Sequence, residues 1–383
     1  MTPRAWLEKL ISFDTTSRNS NLELIEFVRT WLLQYGIESW LAYNPQHSKA
    51  CLFASIADKS GHTQGGVVLS GHTDVVPVDG QKWSFPPFEL TEKDGKLYGR
   101  GSADMKGFIA VALSLVPHWV ENRPNKPLHL ALSFDEEVGC IGVTFLLREL
   151  EARGIRPDGC IVGEPTSMRV VVAHKGINVY RCCVRGKAAH SSLTPQGCNA
   201  IEYAARLICH IRDLADGIKA QGPFDAFFDV PFTTVTTNQI QGGSAVNILP
   251  QSCEFTYEFR NLPGVNPAQI QSRVEQYVEQ TLLPQMHKES ADADIQITPV
   301  AIVPGLDMAE QEAITQLARA LTSDRQKHKV AFATEGGHFQ QSGIPAIVCG
   351  PGSIEVAHKP DEYIEAAQLE QCEVFLKKLG NAL

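Results

Sequence analysis

Histidines and carboxylates recur in this chain directly after short apolar runs. His72 and Asp74 follow VVLSG, Asp104 follows LYGRGSA, Glu136 and Glu137 close LHLALSFDEE, Glu164 follows GCIVG, and His358 follows IVCGPGSIEVA. In open α/β sheets, ligands gather beyond the carboxyl ends of the strands, so residues far apart in sequence can converge on one rim. A mixed set of imidazoles and carboxylates suits Zn²⁺ or Co²⁺ better than Mg²⁺. Together, Asp104, Glu136, Glu137 and Glu164 would bring four negative charges to one cavity. Without a cation they would repel, and some would take up protons.

Singly, each residue also has a structural reading. His72-x-Asp74 fits a polar pair in a turn, Asp104 a helix N-cap, and Glu136-Glu137 a solvated strand end. Glu164 before Pro165 fits the start of a turn, and His358 before Lys359-Pro360 a surface loop. Their shared position after apolar runs argues for one site.

The elements that would position them alternate between strand and helix. Residues 22–36 have helical apolar spacing ending at Gly36. VVLSGHTDVVP is a short strand, and LYGRGSADMKGFIAVALSLVPHWV runs from a glycine-rich turn into a helix. LHLALSFDEE and GCIVGEPTS are strands ending in acids. This alternation predicts an α/β layered domain with helices on a central sheet. From about residue 176 the order becomes strand, helix, strand, strand, helix, strand. That order predicts an inserted α+β, ferredoxin-like domain over 176–291. The α/β texture returns with KVAFAT, PAIVCGPG and a helix near 364–380, so residues 1–175 and 292–383 are expected to form one discontinuous domain.

Composition excludes several classes. The 383 residues are 43% apolar and 20% charged, with 34 basic and 43 acidic side chains and a formal charge of −9. These values fit a soluble globular protein, and no basic cluster points to nucleic acid. No apolar run reaches membrane-spanning length. Glu8 interrupts the N-terminal stretch and no apolar signal core follows, so a cytoplasmic protein with reduced thiols is expected. The ten cysteines include no C-x-x-C pair. There is no G-x-S-x-G elbow, no H-E-x-x-H helix and no P-loop. Gly99-Arg100-Gly101 begins like a dinucleotide fingerprint, but Asp104 stands where the third glycine belongs and would repel a pyrophosphate.

SGHTDVVP, GRGSADMKG, DEEVG, GEPTS, RGKAAHSS and AHKPDEYI follow one another along residues 70–364. In this order they resemble the co-catalytic dizinc deacetylase, aminoacylase and carboxypeptidase family. The resemblance implies a zinc-peptidase-like catalytic domain with an inserted dimerisation or lid domain, in a homodimer acting on a small N-acyl amino acid. It implies two Zn²⁺ ions, with Co²⁺ able to substitute: one held by His72, Asp104 and Glu164, the other by His358, Asp104 and Glu137. Asp104 would bridge them, with a cis peptide after it. Asp74 would fix the ring of His72. A hydroxide bridging the metals would attack the amide, with Glu136 as general base, and His190 would steady the oxyanion across a dimer.

For the substrate carboxylate, the resemblance implies Arg260 and Asn247. A surface ion pair for Arg260 and a turn cap for Asn247 remain open. Glu335, in TEGGH, would attract a side-chain ammonium, which favours N2-acetyl-L-ornithine in arginine biosynthesis; a solvent-facing glutamate remains open there too. Succinyl-diaminopimelate and other N-acyl amino acids are the alternative substrates.

Overall fold

The apolar runs expected as strands form the centre of a nine-stranded mixed sheet. Four of them, Leu128–Ser133, Val67–His72, Gly159–Pro165 and Ala346–Gly350, lie side by side and parallel. All four are buried along their length, which is why they read as continuous apolar runs rather than alternating ones. Antiparallel strands Ala50–Ile56 and Ser39–Tyr43 extend one side of the sheet. Val171–His174, with Leu306–Asp307 and His328–Val330, extends the other.

This computed structural model describes residues 1–383. They divide into one unit of residues 1–174 and 306–383 and a second of residues 175–305. The first crossing, between His174 and Lys175, is one residue from the boundary read in the sequence. The second comes later than 291/292, because strand Asp294–Val303 pairs with Ile177–Arg185 and so belongs to the second unit. No helix is long and apolar enough to cross a membrane.

Helix Gly107–Glu121 is apolar nearly all round, because it is buried between the sheet and helices Pro3–Ile11 and Ala366–Ala382. Glycines let it approach the strands that carry His72 and Glu164. A Cβ on Gly71, one residue before His72, would sit 2.9 Å from Ile109. One on Gly163, before Glu164, would sit 2.0 Å from the Phe108 ring. Alanine at Gly163 would force that ring aside, at about 1–3 kcal/mol for overpacking.

In the second unit, strands Ile177–Arg185, Thr234–Gly242, Ser252–Arg260 and Asp294–Val303 form an antiparallel sheet. Its spatial order is first beside third and fourth, with second at the edge, the ferredoxin-like arrangement. Helices Ala200–Gln221 and Pro267–Tyr277 contribute Leu207, Ile211, Ile270 and Val274 to its core, against Phe255, Tyr257 and Phe259. Two local expectations shift. The helix begun at Leu22 ends at Leu33, with Gly36 (φ 70°) in the turn beyond it. In KVAFAT, only its first two residues join a strand, His328–Val330.

Candidate metal centre

The parallel strands deliver their carboxyl ends to one edge, and the candidate ligands lie there. His72 ends its strand and Glu164 is next to last in its own. Glu136 and Glu137 follow strand Leu128–Ser133, and His358 lies in the loop after Ala346–Gly350. Asp104 arrives from the turn that opens helix Gly107–Glu121, with φ −119° and ψ 93°, and the Asp104–Met105 peptide is cis.

The two oxygens of Asp104 face different imidazoles. Oδ1 lies 3.0 Å from His72 Nε2, and Oδ2 lies 3.2 Å from His358 Nε2. Glu164 Oε1 is 3.7 Å from His72 Nε2, and Glu137 Oε2 is 3.0 Å from His358 Nε2. Ligand atoms of His72, Glu136 and Glu164, and of His72, Asp104 and Glu137, lie within 4.8 Å of one another. His72 Nδ1 donates to the Asp74 carbonyl oxygen at 2.9 Å, which fixes the ring and turns Nε2 towards the carboxylates.

The electrostatics describe a cage that lacks positive charge. Burial, reinforced by neighbouring carboxylates, pushes Glu136 and Glu164 well above the usual carboxylate range and Glu137 to about 7. Burial also works against Asp104, but bonds from His358 and His72 outweigh it and hold that carboxyl low. Asp104 and Glu137 pull His358 up to about 10. His72 is raised against the opposing effect of its own burial, by Asp104 and then Asp74. The imidazoles are thus drawn towards the charge that divalent cations would supply. This donor set fits two such ions sharing the Asp104 carboxylate.

Around the cage the structure sharpens and corrects the sequence reading. The ring of His72 is bonded by the main-chain oxygen of Asp74; the nearer carboxylate oxygen is 3.6 Å away. The Asp74 carboxylate instead accepts the N–H groups of Glu136 (3.1 Å) and Glu137 (3.3 Å) and the Ser17 hydroxyl (2.8 Å). Glu335 is 1% exposed and accepts from Ser70 Oγ at 3.0 Å. It is therefore not solvent-facing, and no hydrogen-bond partner meets its Oε1. The reason is tertiary: Glu335 enters helix Gly336–Gln341, and its carboxylate is drawn onto the Ser70 hydroxyl of the central sheet.

In the second unit, His190 is exposed and its Nδ1 accepts the Ser192 N–H at 3.2 Å, leaving the proton on Nε2. His190 bridges to Ile248, and Ser191 N–H donates to the Asn247 oxygen at 3.0 Å, so His190 and exposed Asn247 are neighbours. Arg260 ends strand Ser252–Arg260 and pairs with Glu258 Oε1 at 3.2 Å.

Sequence reasoning gave no role to Arg100, Glu362, Ser17 or Cys140. Arg100 and Glu362 form a buried ion pair at 2.6 Å, and the Cys140 thiol donates to Glu136 Oε1 at 3.2 Å. Their signal is weak: Arg100 and Glu362 lie inside GRGSADMKG and AHKPDEYI but have no chemistry of their own to single them out, and Ser17 and Cys140 lie outside the motifs.

Residues 68–381 match the pattern of peptidase family M20/M25/M40. The chain is 35% identical to acetylornithine deacetylase of Pasteurella multocida over 96% of this chain and 93% of that protein. It is 36% identical to the Salmonella arizonae protein of the same name over 90% and 87%. Among solved structures it resembles an M20 family metallo-carboxypeptidase from Sulfolobus solfataricus, with TM-score 0.76, 17% identity and coverage of 99% and 98%. It also resembles a dinuclear metal-binding M20 peptidase from Bacillus subtilis, with TM-score 0.67, 14% identity and coverage of 99% and 96%.

Proposed function

The chain belongs to peptidase family M20/M25/M40 and is a metal-dependent hydrolase; from that premise we propose that it cleaves N2-acetyl-L-ornithine to L-ornithine and acetate, a step of arginine biosynthesis in the cytoplasm. The observation that carries the two-metal chemistry is the Asp104 carboxylate, one oxygen towards His72 and the other towards His358. The choice of substrate is supported by the Pasteurella and Salmonella relatives.

His72, Asp104 and Glu164 would hold one ion, and His358, Asp104 and Glu137 the other, as Zn²⁺ or Co²⁺. When bound, the ions polarise the amide carbonyl and lower the pKa of water to about 7. Glu136 removes a proton from the attacking water and returns it to the amine nitrogen as the C–N bond breaks. Burial beside other carboxylates raises its affinity for a proton, which suits a carboxylate that takes one from water and then hands it on. Asp74 holds the backbone of Glu136 and Glu137 in place. The His190 Nε2–H, presented by a second copy in a homodimer, donates to the oxyanion, and Arg260 with Asn247 receives the substrate carboxylate.

The test is a substrate panel at fixed zinc: acetylornithine, succinyl-diaminopimelate and acetylmethionine. The expected kcat/KM favours acetylornithine by at least about tenfold, or about 1.4 kcal/mol. Preference for the succinyl substrate makes the enzyme a desuccinylase, and equal rates make it a broad aminoacylase.

A further inference from the structure

The two candidate metal positions have unequal support from the fold. His72 lies at the end of a central strand, 1% exposed, with its ring bonded to the main chain. His358 lies in a loop, its side chain 52% exposed and its φ at +62°. Non-glycine residues rarely adopt that conformation, so contacts from outside the loop must hold it there.

Those contacts converge on a buried ion pair. The Glu362 carboxylate accepts four donors: Ala103 N and Asp104 N on Oε1, both at 3.0 Å, and Gly101 N (3.1 Å) and Arg100 Nη1 (2.6 Å) on Oε2. Arg100 then reaches the His358 loop. Its Nη1 donates to the Lys359 carbonyl at 3.3 Å and its Nη2 to Gln81 Oε1 at 2.6 Å. Gln81 donates in turn to the His358 carbonyl at 3.0 Å. Arg100 and Glu362 are each 1% exposed, and the guanidinium lies over the Trp83 ring, 4.9 Å from its centre. One continuous network therefore joins the main chain of the bridging ligand to the main chain of the exposed ligand, and it makes no contact with His72.

We infer that Arg100 and Glu362 are positioning residues chiefly for the second metal: they lock the Asp104 turn, which both positions share, to the His358 loop, so that the His358–Asp104–Glu137 position exists before an ion arrives. This inference rests on the two-metal reading above. A planar fork is needed because one guanidinium must serve Glu362, Lys359 and Gln81 at once, which an ammonium cannot do in that plane.

The test is a titration of metal-free protein with Zn²⁺ against a competing chelator, repeated with Co²⁺ and read by its visible absorption. Wild type should take up two ions. Arg100→Lys and Glu362→Gln should bind the second ion about 10–100-fold more weakly, the usual cost of losing a partner behind a ligand, and the first, which shares Asp104, with a clearly smaller loss. Because both sites are buried, Gln81→Ala is the companion variant: it cuts the link to His358 without emptying the core and should weaken the second ion selectively, by a smaller factor. Equal loss at both positions in the variants that fold, or no loss at either, overturns the inference. A wild type that takes up a single ion overturns the two-metal reading itself.

Discussion

Asp74 Oδ1 accepts the backbone N–H of Glu136 at 3.1 Å. The same residue, through its carbonyl, fixes the ring of His72. One aspartate thus ties His72 at the end of one strand to Glu136, the proposed base, after the next, and each half of the tie uses a different part of the residue.

Replacing Asp74 separates those halves. Asp74→Ala keeps the carbonyl that orients His72 but strips acceptors from Glu136, Glu137 and Ser17. Zinc affinity should fall by less than turnover, and kcat should drop about 10–100-fold. Metal content by emission spectroscopy with kcat on the same sample checks this; an equal fall in both argues against a separate hold on the base.

The metal-free protein should lose stability as pH rises. Glu137 is raised to about 7 by burial, so in the folded state it holds a proton that the unfolded chain releases above about 4.5. The folded state therefore binds more protons between those values, and stability falls across that window. His358, raised to about 10 chiefly by Asp104, adds stability that is complete below about 6.5 and is lost as pH climbs to 10. Both effects have the same sign. Zinc removes them, because its ligands bind deprotonated. Melting curves at pH 5, 7 and 9 with chelator or zinc should show the apo Tm falling and the zinc-induced gap widening. A constant gap contradicts the cage.

His190→Ala should bind zinc as wild type does yet turn over about 100–1,000-fold more slowly, the usual cost of an oxyanion donor. Near-normal turnover removes His190 from the mechanism.

Glu335→Gln should change KM for acetylornithine and acetylmethionine to the same degree, because this buried carboxylate meets Ser70 rather than solvent. A selective rise for acetylornithine would make Glu335 the partner of the substrate's ammonium.

By itself, the sequence determined the ligand types, their order and their place after apolar strands. That much is local: parallel strands buried on both faces read as unbroken apolar runs, and glycines such as Gly71 and Gly163 mark where a helix presses on them. The order of elements likewise made the second unit legible as strand, helix, strand, strand, helix, strand. Side-chain direction and long-range partners were not legible. Glu335 and Glu362 look alike as acids in polar loops, yet one bonds Ser70 across 265 residues and the other bonds the Asp104 backbone across 258. The second boundary differs from 291/292 for the same reason, since strand Asp294–Val303 is assigned by its pairing with Ile177–Arg185 and not by its composition. Only the tertiary structure decided which Asp104 oxygen faces which imidazole and what holds His358 in its strained loop. No periodicity encodes those contacts; they arise when separate strand ends and loops are packed at one edge of the sheet.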